Sequence, residues 1–248
     1  MLSQGGYRHK GKEKIAKIIV IDILNYVVAF NKSHFKLLDV GCGDGYILKY
    51  LSKEISNRCG LNLKNIELMG IDIYPGYKEF FKNSGIKFLL EDIFNIDRIF
   101  DKNFFDFIIC TEVLEHVVNT DCLIKKIRNI LKPEGFLFLT TPNLASYHGR
   151  ISLLLGFQPL VTEVSNEYAA FGKGFWDRIY SGKNATGEPV HHVRVFTFKA
   201  LKEFMEYHGF EIIKTRGVDY RFPFLWSKIP SLSPIIYMIC KKKNENKI

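Results

Sequence analysis

The sequence predicts an α/β fold in which a mostly parallel sheet carries helices on both faces. Short runs rich in β-branched and aromatic residues alternate with segments of helical periodicity, an order typical of β-α-β units. A buried strand also runs directly into a glycine-rich turn that opens a helix, at residues 37–45. The 248 residues are 47% hydrophobic and 25% charged, so the chain can bury a full core, and we expect one domain over residues 1–248.

Strands and helices alternate after a predicted first helix at residues 12–31, where apolar residues recur at a helical spacing. Strands are predicted at residues 36–40, 66–73, 86–90, 104–111 and 135–141, and helices at residues 46–56, 76–83 and 120–131. A last helix over residues 197–208 has Thr197 as its N-cap and Gly209 as its stop. Strands near residues 210–216 and 235–240 follow it.

The regular pattern stops between residues 142 and 194, where six glycines are scattered among aromatic residues and prolines. A stretch of this length without periodicity is more often a lid or a substrate loop than a linker. We therefore expect a cap insertion over residues 142–194, joined by part of residues 222–234, and a final helix with strands over residues 195–241. The aromatic and basic residues of 221–230 are expected to pack this cap with residues 151–157, and a lipid or membrane-surface contact is the alternative.

Cysteine usage and the N-terminus restrict the class of protein. The chain has five cysteines: Cys42, Cys59, Cys110, Cys122 and Cys240. They never form a CxxC pair, so neither a disulfide framework nor a structural zinc site is supported, and a cytoplasmic location is expected. The polar, basic N-terminus and the charges Lys17 and Asp22 in the apolar stretch behind it argue against a signal peptide and a membrane span.

The net charge is +9, from 35 basic and 26 acidic residues. This charge leaves room for an anionic partner. The sequence has neither a clustered basic helix nor an aromatic RNA-binding signature, so nucleic acid ranks below a small molecule as the partner. No oligomeric state follows from the sequence.

The sharpest local signal is the turn Asp-Val-Gly-Cys-Gly-Asp-Gly at residues 39–45. Glycines let the backbone approach a ligand closely, and the N–H groups at the start of the next helix favour an anionic group. The turn therefore predicts a nucleotide-type ligand. A dinucleotide fingerprint needs G-x-G-x-x-G, whereas Gly45 comes one residue early and Tyr46 stands at the third glycine position, which disfavours NAD.

Two acidic residues follow the next two predicted strands. Asp72 ends the second strand, where its carboxylate could accept hydrogen bonds from both ribose hydroxyls, and Asp92 follows the third strand, where a polar group suits an adenine edge. The carboxyl ends of parallel strands share one edge of the sheet. The glycine turn and both acids are therefore expected to line one ligand site at the switch point of the sheet.

This ordered set resembles class I S-adenosylmethionine-dependent methyltransferases over residues 35 to 145. Two further segments carry the resemblance: Phe-Asp-Phe-Ile-Ile-Cys-Thr-Glu-Val-Leu-Glu-His-Val at residues 105–117 and Leu-Lys-Pro-Glu-Gly at residues 131–135. The resemblance implies a Rossmann-like, seven-stranded sheet with a reversed last strand, and S-adenosylmethionine as the cofactor. It also implies places for the cofactor: Gly41 and Gly43 by its methionine part, Asp72 at the ribose, Asp92 with Ile93 around adenine, and Thr111 and Glu112 beside the sulfonium. Asp39, Cys42 and Ile73 complete the predicted cofactor-binding set.

Within that family, residues 112–117, 141–143 and 191–197 look most like the branch of ubiquinone-biosynthesis O-methyltransferases and of methyltransferases found with glycan-modifying enzymes. The branch implies a small-molecule, lipid or sugar acceptor, methylated at oxygen rather than at nitrogen or carbon. A hydroxyl acceptor needs a base, and histidine titrates near neutral pH. We predict His116, His192 and Glu115 as catalytic residues and interpret His148 and His191 as structural.

A metal site is the alternative use of the same residues. On a helical turn Glu112, Glu115 and His116 would share a face, and His192 could close the site from the cap. The pattern resembles magnesium-dependent relatives, including small-RNA 2′-O-methyltransferases, so a Mg²⁺-assisted reaction on RNA stays open beside the favoured metal-free reaction. An NAD-dependent oxidoreductase and a cofactor-binding module without turnover are the remaining alternatives.

Overall fold

The computed structural model describes residues 6–58, 65–175, 188–219, 222 and 225–243, and of residues 6–11 only the backbone. Parts of the sequence predictions lie outside the described residues: Cys59, residues 176–187 of the expected cap, residues 221, 223 and 224 of the aromatic span, and the last five residues.

Six α-helices and seven strands form the described fold. The helices are α1 (Gly6–Ala29), α2 (Tyr46–Arg58), α3 (Ile96–Ile99), α4 (Thr120–Ile130), α5 (Tyr147–Leu154) and α6 (Phe198–Tyr207). The strands are β1 (Phe35–Val40), β2 (Ile66–Asp72), β3 (Lys87–Leu90), β4 (Phe105–Thr111), β5 (Leu131–Pro142), β6 (Phe210–Val218) and β7 (Ile235–Lys242). Single 3-10 segments occupy Pro75–Phe81, Ile93–Asn95 and Leu114–His116.

The strands form one sheet in the order β3-β2-β1-β4-β5-β7-β6. The strands from β1 to β5 pair in parallel, whereas β7 runs antiparallel to both β5 and β6. The predicted seven-stranded, mostly parallel sheet with a reversed last strand is confirmed. Because β1 lies between β2 and β4, the strand order reverses at β1, which puts a crevice at its carboxyl end.

Two apolar clusters cover the two faces of the sheet, so the prediction of helices on both faces is also confirmed. Successive side chains of β4 alternate between them: Phe107 and Ile109 join the cluster under α1 and α2, and Ile108 and Cys110 join the cluster under α4 and α6. Each fully buried side chain of this size contributes about 1.5–3 kcal/mol of transfer free energy. The sheet is therefore a rigid support for the loops at its carboxyl edge.

Three predicted elements differ markedly from the structure, and the four-residue helix α3 was not predicted. The first helix begins at Gly6 rather than at residue 12. The expected helix at 76–83 is the 3-10 segment Pro75–Phe81, whose first turn holds a proline. β5 begins at Leu131 rather than at residue 135, because the bulge opposite Phe105 and Phe107 absorbs the turn-like Lys-Pro-Glu-Gly into the strand.

The described part of the expected cap is mostly irregular, with one helix that the sequence pattern did not predict. This helix, α5, begins at Ser146, whose hydroxyl accepts a hydrogen bond from the Gly149 N–H. Asn143, at the end of β5, ties this region to the loop before β7: its side-chain amide donates to the carbonyls of Ser231 and Ser233 at 3.1 and 2.9 Å. The described cap residues therefore start at the carboxyl edge of the sheet.

Candidate functional site

The glycine turn joins β1 to α2 at the crevice. Gly41, Gly43 and Gly45 have φ angles of 73°, 53° and 72°, which side chains other than glycine adopt at a cost. A Cβ on Gly41 would lie 2.5 Å from a methyl carbon of Val113, so the turn packs directly on the loop after β4. The predicted close approach of this turn to a ligand stays a prediction.

Asp72, at the end of β2, faces this turn. Its Oδ2 accepts a hydrogen bond from the Gly43 N–H at 2.9 Å, and its Oδ1 accepts one from the Tyr74 N–H at 3.0 Å. The ring of Tyr77 lies 4.0 Å from the position of a Cβ on Gly43. The carboxylate therefore stands at the crevice with its orientation fixed by two backbone donors.

Asp39 is the buried acid of the turn. Its Oδ1 atom has no hydrogen-bond partner among the described residues. Burial, and then the carboxylates of Asp72 and Asp44, raise the pKa of Asp39 well above its usual range. An orphaned buried oxygen beside a glycine turn is suited to a polar group of a bound ligand. Burial also raises the pKa of the neighbouring Cys42 thiol, so this cysteine is not a nucleophile.

The adenine side of the predicted site lies at the end of β3. Asp92 caps the segment Ile93–Asn95, because its Oδ1 accepts a hydrogen bond from the Phe94 N–H at 2.8 Å. The Ile73 side chain, just past β2, is 69% exposed and offers an apolar surface at the same edge. The Glu91 N–H donates to the Asp72 carbonyl at 3.1 Å, so the loops after β2 and β3 are in contact.

Glu112 follows Thr111 at the end of β4 and does not lie on a helix. Its φ angle is 53°, and the only helical turn nearby is the 3-10 segment Leu114–His116. The expected shared helical face of Glu112, Glu115 and His116 is therefore wrong, because a residue in the left-handed region turns the chain before the helical segment begins. Glu112 Oε1 instead accepts a hydrogen bond from the Thr140 hydroxyl at 2.8 Å.

Glu115, His116 and His192 come together nonetheless. One ligand atom from each lies within 4.8 Å of the other two, and the two imidazole rings are 5.0 Å apart. Glu115 is fully buried; its Oε2 accepts a hydrogen bond from Thr141 at 3.0 Å, and its Oε1 has no hydrogen-bond partner among the described residues. Three of the four residues predicted as possible metal ligands thus form one cluster, without Glu112.

Backbone carbonyls define which nitrogen of each histidine carries the proton. His192 Nδ1 lies 2.8 Å from the Val161 carbonyl oxygen, and His116 Nδ1 lies 3.3 Å from that of His191. A carbonyl only accepts, so Nδ1 is the donor in both rings, and in a neutral imidazole Nε2 then presents its lone pair. His116 Nε2 is 3.9 Å from Glu115 Oε1.

The charges of this cluster follow from burial. Burial lowers the pKa of both His116 and His192 from the usual value, so both rings are neutral near pH 7. Burial raises the pKa of Glu112, and burial together with the neighbouring Glu112 raises the pKa of Glu115. The site therefore offers neutral imidazole acceptors beside a protonated carboxyl group, which suits proton abstraction from a hydroxyl.

The same donor set fits a divalent cation. Two imidazoles with Nδ1 held by backbone carbonyls, and a carboxyl group held by a threonine, have the outer-shell support typical of metal ligands. The orphaned Glu115 Oε1 and the two Nε2 atoms would be the ligands, and binding would displace the Glu115 proton. Nitrogen and oxygen donors suit borderline or hard divalent ions.

His148 and His191 stay interpreted as structural residues. His148 is buried in α5 beside the Ser146 hydroxyl, and burial lowers the pKa of its ring to about 4. The exposed His191 contributes its backbone carbonyl to His116. Thr140, Thr141 and Glu163 were not predicted as site residues, although Thr141 belongs to the motif at residues 141–143. The two threonines lie near the end of a parallel strand, which is a usable signal, whereas nothing in the pattern marks Glu163.

The structure is thus a Rossmann-like fold with a glycine turn at the crevice after β1 and with a cluster of two histidines and a buried glutamate. A family described as "Methyltransferase domain" matches residues 7–215. The chain therefore belongs to this family of S-adenosylmethionine-dependent methyltransferases, and the resemblance seen in the sequence is confirmed.

Curated relatives are named for one reaction. A mitochondrial ubiquinone biosynthesis O-methyltransferase of Dictyostelium discoideum is 30% identical over 174 residues, 66% of this chain and 52% of that protein. A ubiquinone biosynthesis O-methyltransferase of Coxiella burnetii is 28% identical over 176 residues, 68% of this chain and 71% of that protein. The chain spans about half the length of the first of these relatives.

Solved structures share the fold. A Methanosarcina mazei S-adenosylmethionine-dependent methyltransferase superposes with a TM-score of 0.57 at 21% identity, over 88% of this chain and 98% of that one. A Burkholderia thailandensis 1,6-didemethyltoxoflavin-N1-methyltransferase, with its substrate and S-adenosylhomocysteine bound, superposes with a TM-score of 0.55 at 13% identity, over 92% of this chain and 79% of that one.

Proposed function

We propose that this protein transfers the methyl group of S-adenosylmethionine to a hydroxyl oxygen of a small-molecule, lipid or sugar acceptor. The observation that carries the proposal is the pair of imidazoles, His116 and His192, each of which has a nitrogen within 4.8 Å of a carboxyl oxygen of Glu115 and has its Nδ1 held by a backbone carbonyl. The cofactor carries the methyl group on a sulfonium sulfur, which is already a good leaving group. The chain's own work is to align the acceptor, exclude water and take its proton.

The cofactor is proposed to lie along the crevice from Asp39 to Asp92. Gly41 and Gly43 give it close backbone approach, Asp72 holds the ribose, and Asp92 with Ile93 frames adenine, as the sequence analysis predicts. Asp39 supports this placement with its orphaned buried oxygen. Cys42, Ile73, Thr111 and Glu112 line the same edge and stay predictions.

The acceptor is proposed to be a phenolic or lipid-linked hydroxyl. The names of the curated relatives favour oxygen as the accepting atom. An exposed apolar surface at the end of α5 favours a lipid: Leu153, Leu154 and Leu155 are 59%, 85% and 55% exposed. Tyr147 stacks on Trp226 at 5.1 Å, which brings the loop with the exposed Leu225 against the same helix.

An acceptor panel tests the proposal. Purified protein and S-adenosylmethionine are incubated with a catechol, a prenylated phenol or a hexose, and methyl transfer is followed by mass spectrometry. Methylated catechol or prenylated phenol in the wild type, reduced about 10²-fold or more in His116→Ala and in His192→Ala, is the expected result. Binding of the cofactor without turnover on any acceptor would instead support the non-catalytic module.

Metal assistance is the second candidate, because Glu115, His116 and His192 hold their ligand atoms within 4.8 Å of one another. A divalent cation such as Mg²⁺ bound there would polarise the acceptor oxygen. Methyl transfer that a chelator abolishes and Mg²⁺ restores would establish this candidate, and activity indifferent to the chelator would end it. An RNA 2′-hydroxyl belongs in the same experiment as an acceptor; NAD chemistry has no support from the family assignment.

A reducing compartment is proposed for the protein, because Cys42, Cys110, Cys122 and Cys240 are free thiols. Among the described residues, no helix is both long enough and apolar enough to cross a membrane. Peripheral contact of the α5 surface with a membrane is part of the lipid-acceptor proposal.

A further inference from the structure

The segment that carries His192 is attached to the site at its far end by backbone hydrogen bonds. The Val193 and Arg194 N–H groups both donate to the Glu115 carbonyl, at 2.7 and 3.1 Å. The Arg194 side chain also donates to the Val118 carbonyl at 3.2 Å. These bonds fix residues 193–194 against the loop after β4, but they leave the orientation of the preceding peptides undetermined.

A carboxylate holds the near end of the same segment. Glu163 Oε1 accepts a hydrogen bond from the Val190 N–H, and Glu163 Oε2 accepts one from the His191 N–H, both at 2.7 Å. Two short bonds from consecutive N–H groups to one carboxylate are charge-assisted and fix the peptide plane between them. His192 therefore lies between two attachments, one made by the Glu163 side chain and one by the Glu115 backbone.

The backbone between the attachments is held in an unfavourable conformation. His191 has a φ angle of 60°, which a residue with a Cβ adopts only where its surroundings over-determine it. In this conformation the His191 carbonyl reaches His116 Nδ1. The bond from the His191 N–H to Glu163 thus holds the residue whose own carbonyl oxygen, in the next peptide group, orients His116.

The other ring is held from the same short stretch of chain. His192 Nδ1 donates to the carbonyl of Val161, two residues before Glu163. Residues 161–163 therefore fix the His192 ring through a carbonyl and the His191 peptide through a carboxylate. Removing the carboxylate would release the backbone at Val190 and His191, which carries the acceptor for His116 and adjoins His192, whereas the Val161 carbonyl would stay in place.

We propose that Glu163 is a positioning residue for methyl transfer: its carboxylate clamps the Val190 and His191 peptides and thereby aims Nε2 of His116 and of His192 at the acceptor side of the cofactor crevice. This inference rests on the proposed function of the two histidines. Glu163 touches neither reacting partner. Glu163 acts on catalysis through the two histidine rings: it favours their neutral tautomer with the proton on Nδ1, and it fixes their orientation.

The experiment compares Glu163→Ala, which removes both acceptors, with Glu163→Gln, which keeps one. Glu167→Gln is the matched control, since Glu167 is an exposed carboxylate of the same region. Calorimetry with S-adenosylhomocysteine measures cofactor affinity, and ¹⁵N NMR of the histidine rings reports which ring nitrogen is protonated. Methyl transfer to a catechol gives kcat and KM.

We expect S-adenosylhomocysteine affinity within twofold of wild type in all three variants, because Asp39, Asp72 and Asp92 are unchanged. In Glu163→Ala the His116 ring becomes a mixture of Nδ1-H and Nε2-H forms. The change is smaller at His192, whose Val161 acceptor remains, and His34 stays as in the wild type. The kcat of Glu163→Ala falls about 10²-fold, the cost of a misplaced reacting group, with a smaller fall in Glu163→Gln and none in Glu167→Gln.

Two results overturn the inference: His116 and His192 rings that keep wild-type resonances in Glu163→Ala, or a kcat that falls equally in Glu167→Gln. The ring spectra need no acceptor. If wild-type protein methylates nothing while the rings of Glu163→Ala still change, the proposed function fails and the clamp stands. If the wild type turns over and the rings of Glu163→Ala are unchanged, the clamp fails and the proposed function stands.

Discussion

Gly41 and Gly85 have the same backbone conformation in different surroundings. Comparing them separates the cost of the left-handed conformation from the cost of a close contact. Both have φ near 70°, but a Cβ on Gly41 would meet Val113 at 2.5 Å, whereas a Cβ on Gly85 would meet nothing within 4 Å. We expect Gly85→Ala to lower the free energy of unfolding by about 1–2 kcal/mol, the cost of the left-handed conformation. Gly41→Ala should cost more and weaken cofactor binding, as urea unfolding and calorimetry can measure. Equal costs for the two variants would show that the contact with Val113 does not matter.

Asp72 is the proposed ribose-binding residue. Asp72→Ala removes a charged acceptor and should weaken S-adenosylhomocysteine binding by about 1.5–3 kcal/mol, the usual contribution of hydrogen bonds to charged groups. Asp101→Ala, on an exposed loop, is the control, and calorimetry is the measurement. Unchanged affinity in Asp72→Ala would show that the ribose does not bind to Asp72 at this edge of the sheet.

Single residues also show what a sequence can reveal about a site. Gly41, Asp72 and Asp92 could be placed because strand ends in a parallel sheet meet at one edge, so chain order alone defines the neighbourhood. Glu163 could not be placed, because it lies in irregular chain where no period relates one residue to another. The predicted helical face of Glu112 was wrong for a similar reason, since a single left-handed residue breaks the spacing rule.

At the scale of elements, α5 was missed while the strands and α4 were predicted to within a few residues. Buried strands carry continuous apolar runs, and α4 buries Leu123, Ile124, Ile127 and Ile130 on one face, so their patterns are visible. Helix α5 is only eight residues long and leaves Leu153 and Leu154 exposed. A short helix with an unburied apolar end has no amphipathic pattern to detect.

Helix α5 also gives the fold a pH-dependent stability. His148 is buried there with its pKa lowered from 6.5 to about 4, so the unfolded chain binds its proton more readily than the folded chain. The contribution of His148 to the free energy of unfolding is fully present above pH 6.5. It is lost as the pH falls towards 4, by about 3 kcal/mol in total. Urea unfolding from pH 7 to pH 4 should show a flatter acid dependence in His148→Asn than in wild type or His34→Asn. Parallel curves for all three proteins would contradict the assignment.

At the scale of the whole molecule, a net charge of +9 and the exposed apolar end of α5 favour an anionic membrane surface near the acceptor side. Leu154→Glu removes an 85% exposed leucine and adds a negative charge. Binding to vesicles with anionic lipid should weaken at least tenfold, since burying one leucine side chain contributes about 1.5–3 kcal/mol. The control is Val28→Glu, at an apolar residue of α1 that is 67% exposed, and this variant should bind like wild type. Equal loss of vesicle binding in both variants would indicate a general effect of charge and no defined membrane-binding surface.

The central claim is that the crevice at the carboxyl end of β1 binds S-adenosylmethionine. Calorimetric titration of the purified protein with S-adenosylhomocysteine, and in parallel with NAD, tests it most directly. We predict micromolar-class binding of S-adenosylhomocysteine, about −8 kcal/mol, which Asp72→Ala weakens, and no heat of binding with NAD. Binding of NAD, or S-adenosylhomocysteine binding that Asp72→Ala leaves unchanged, would contradict the account.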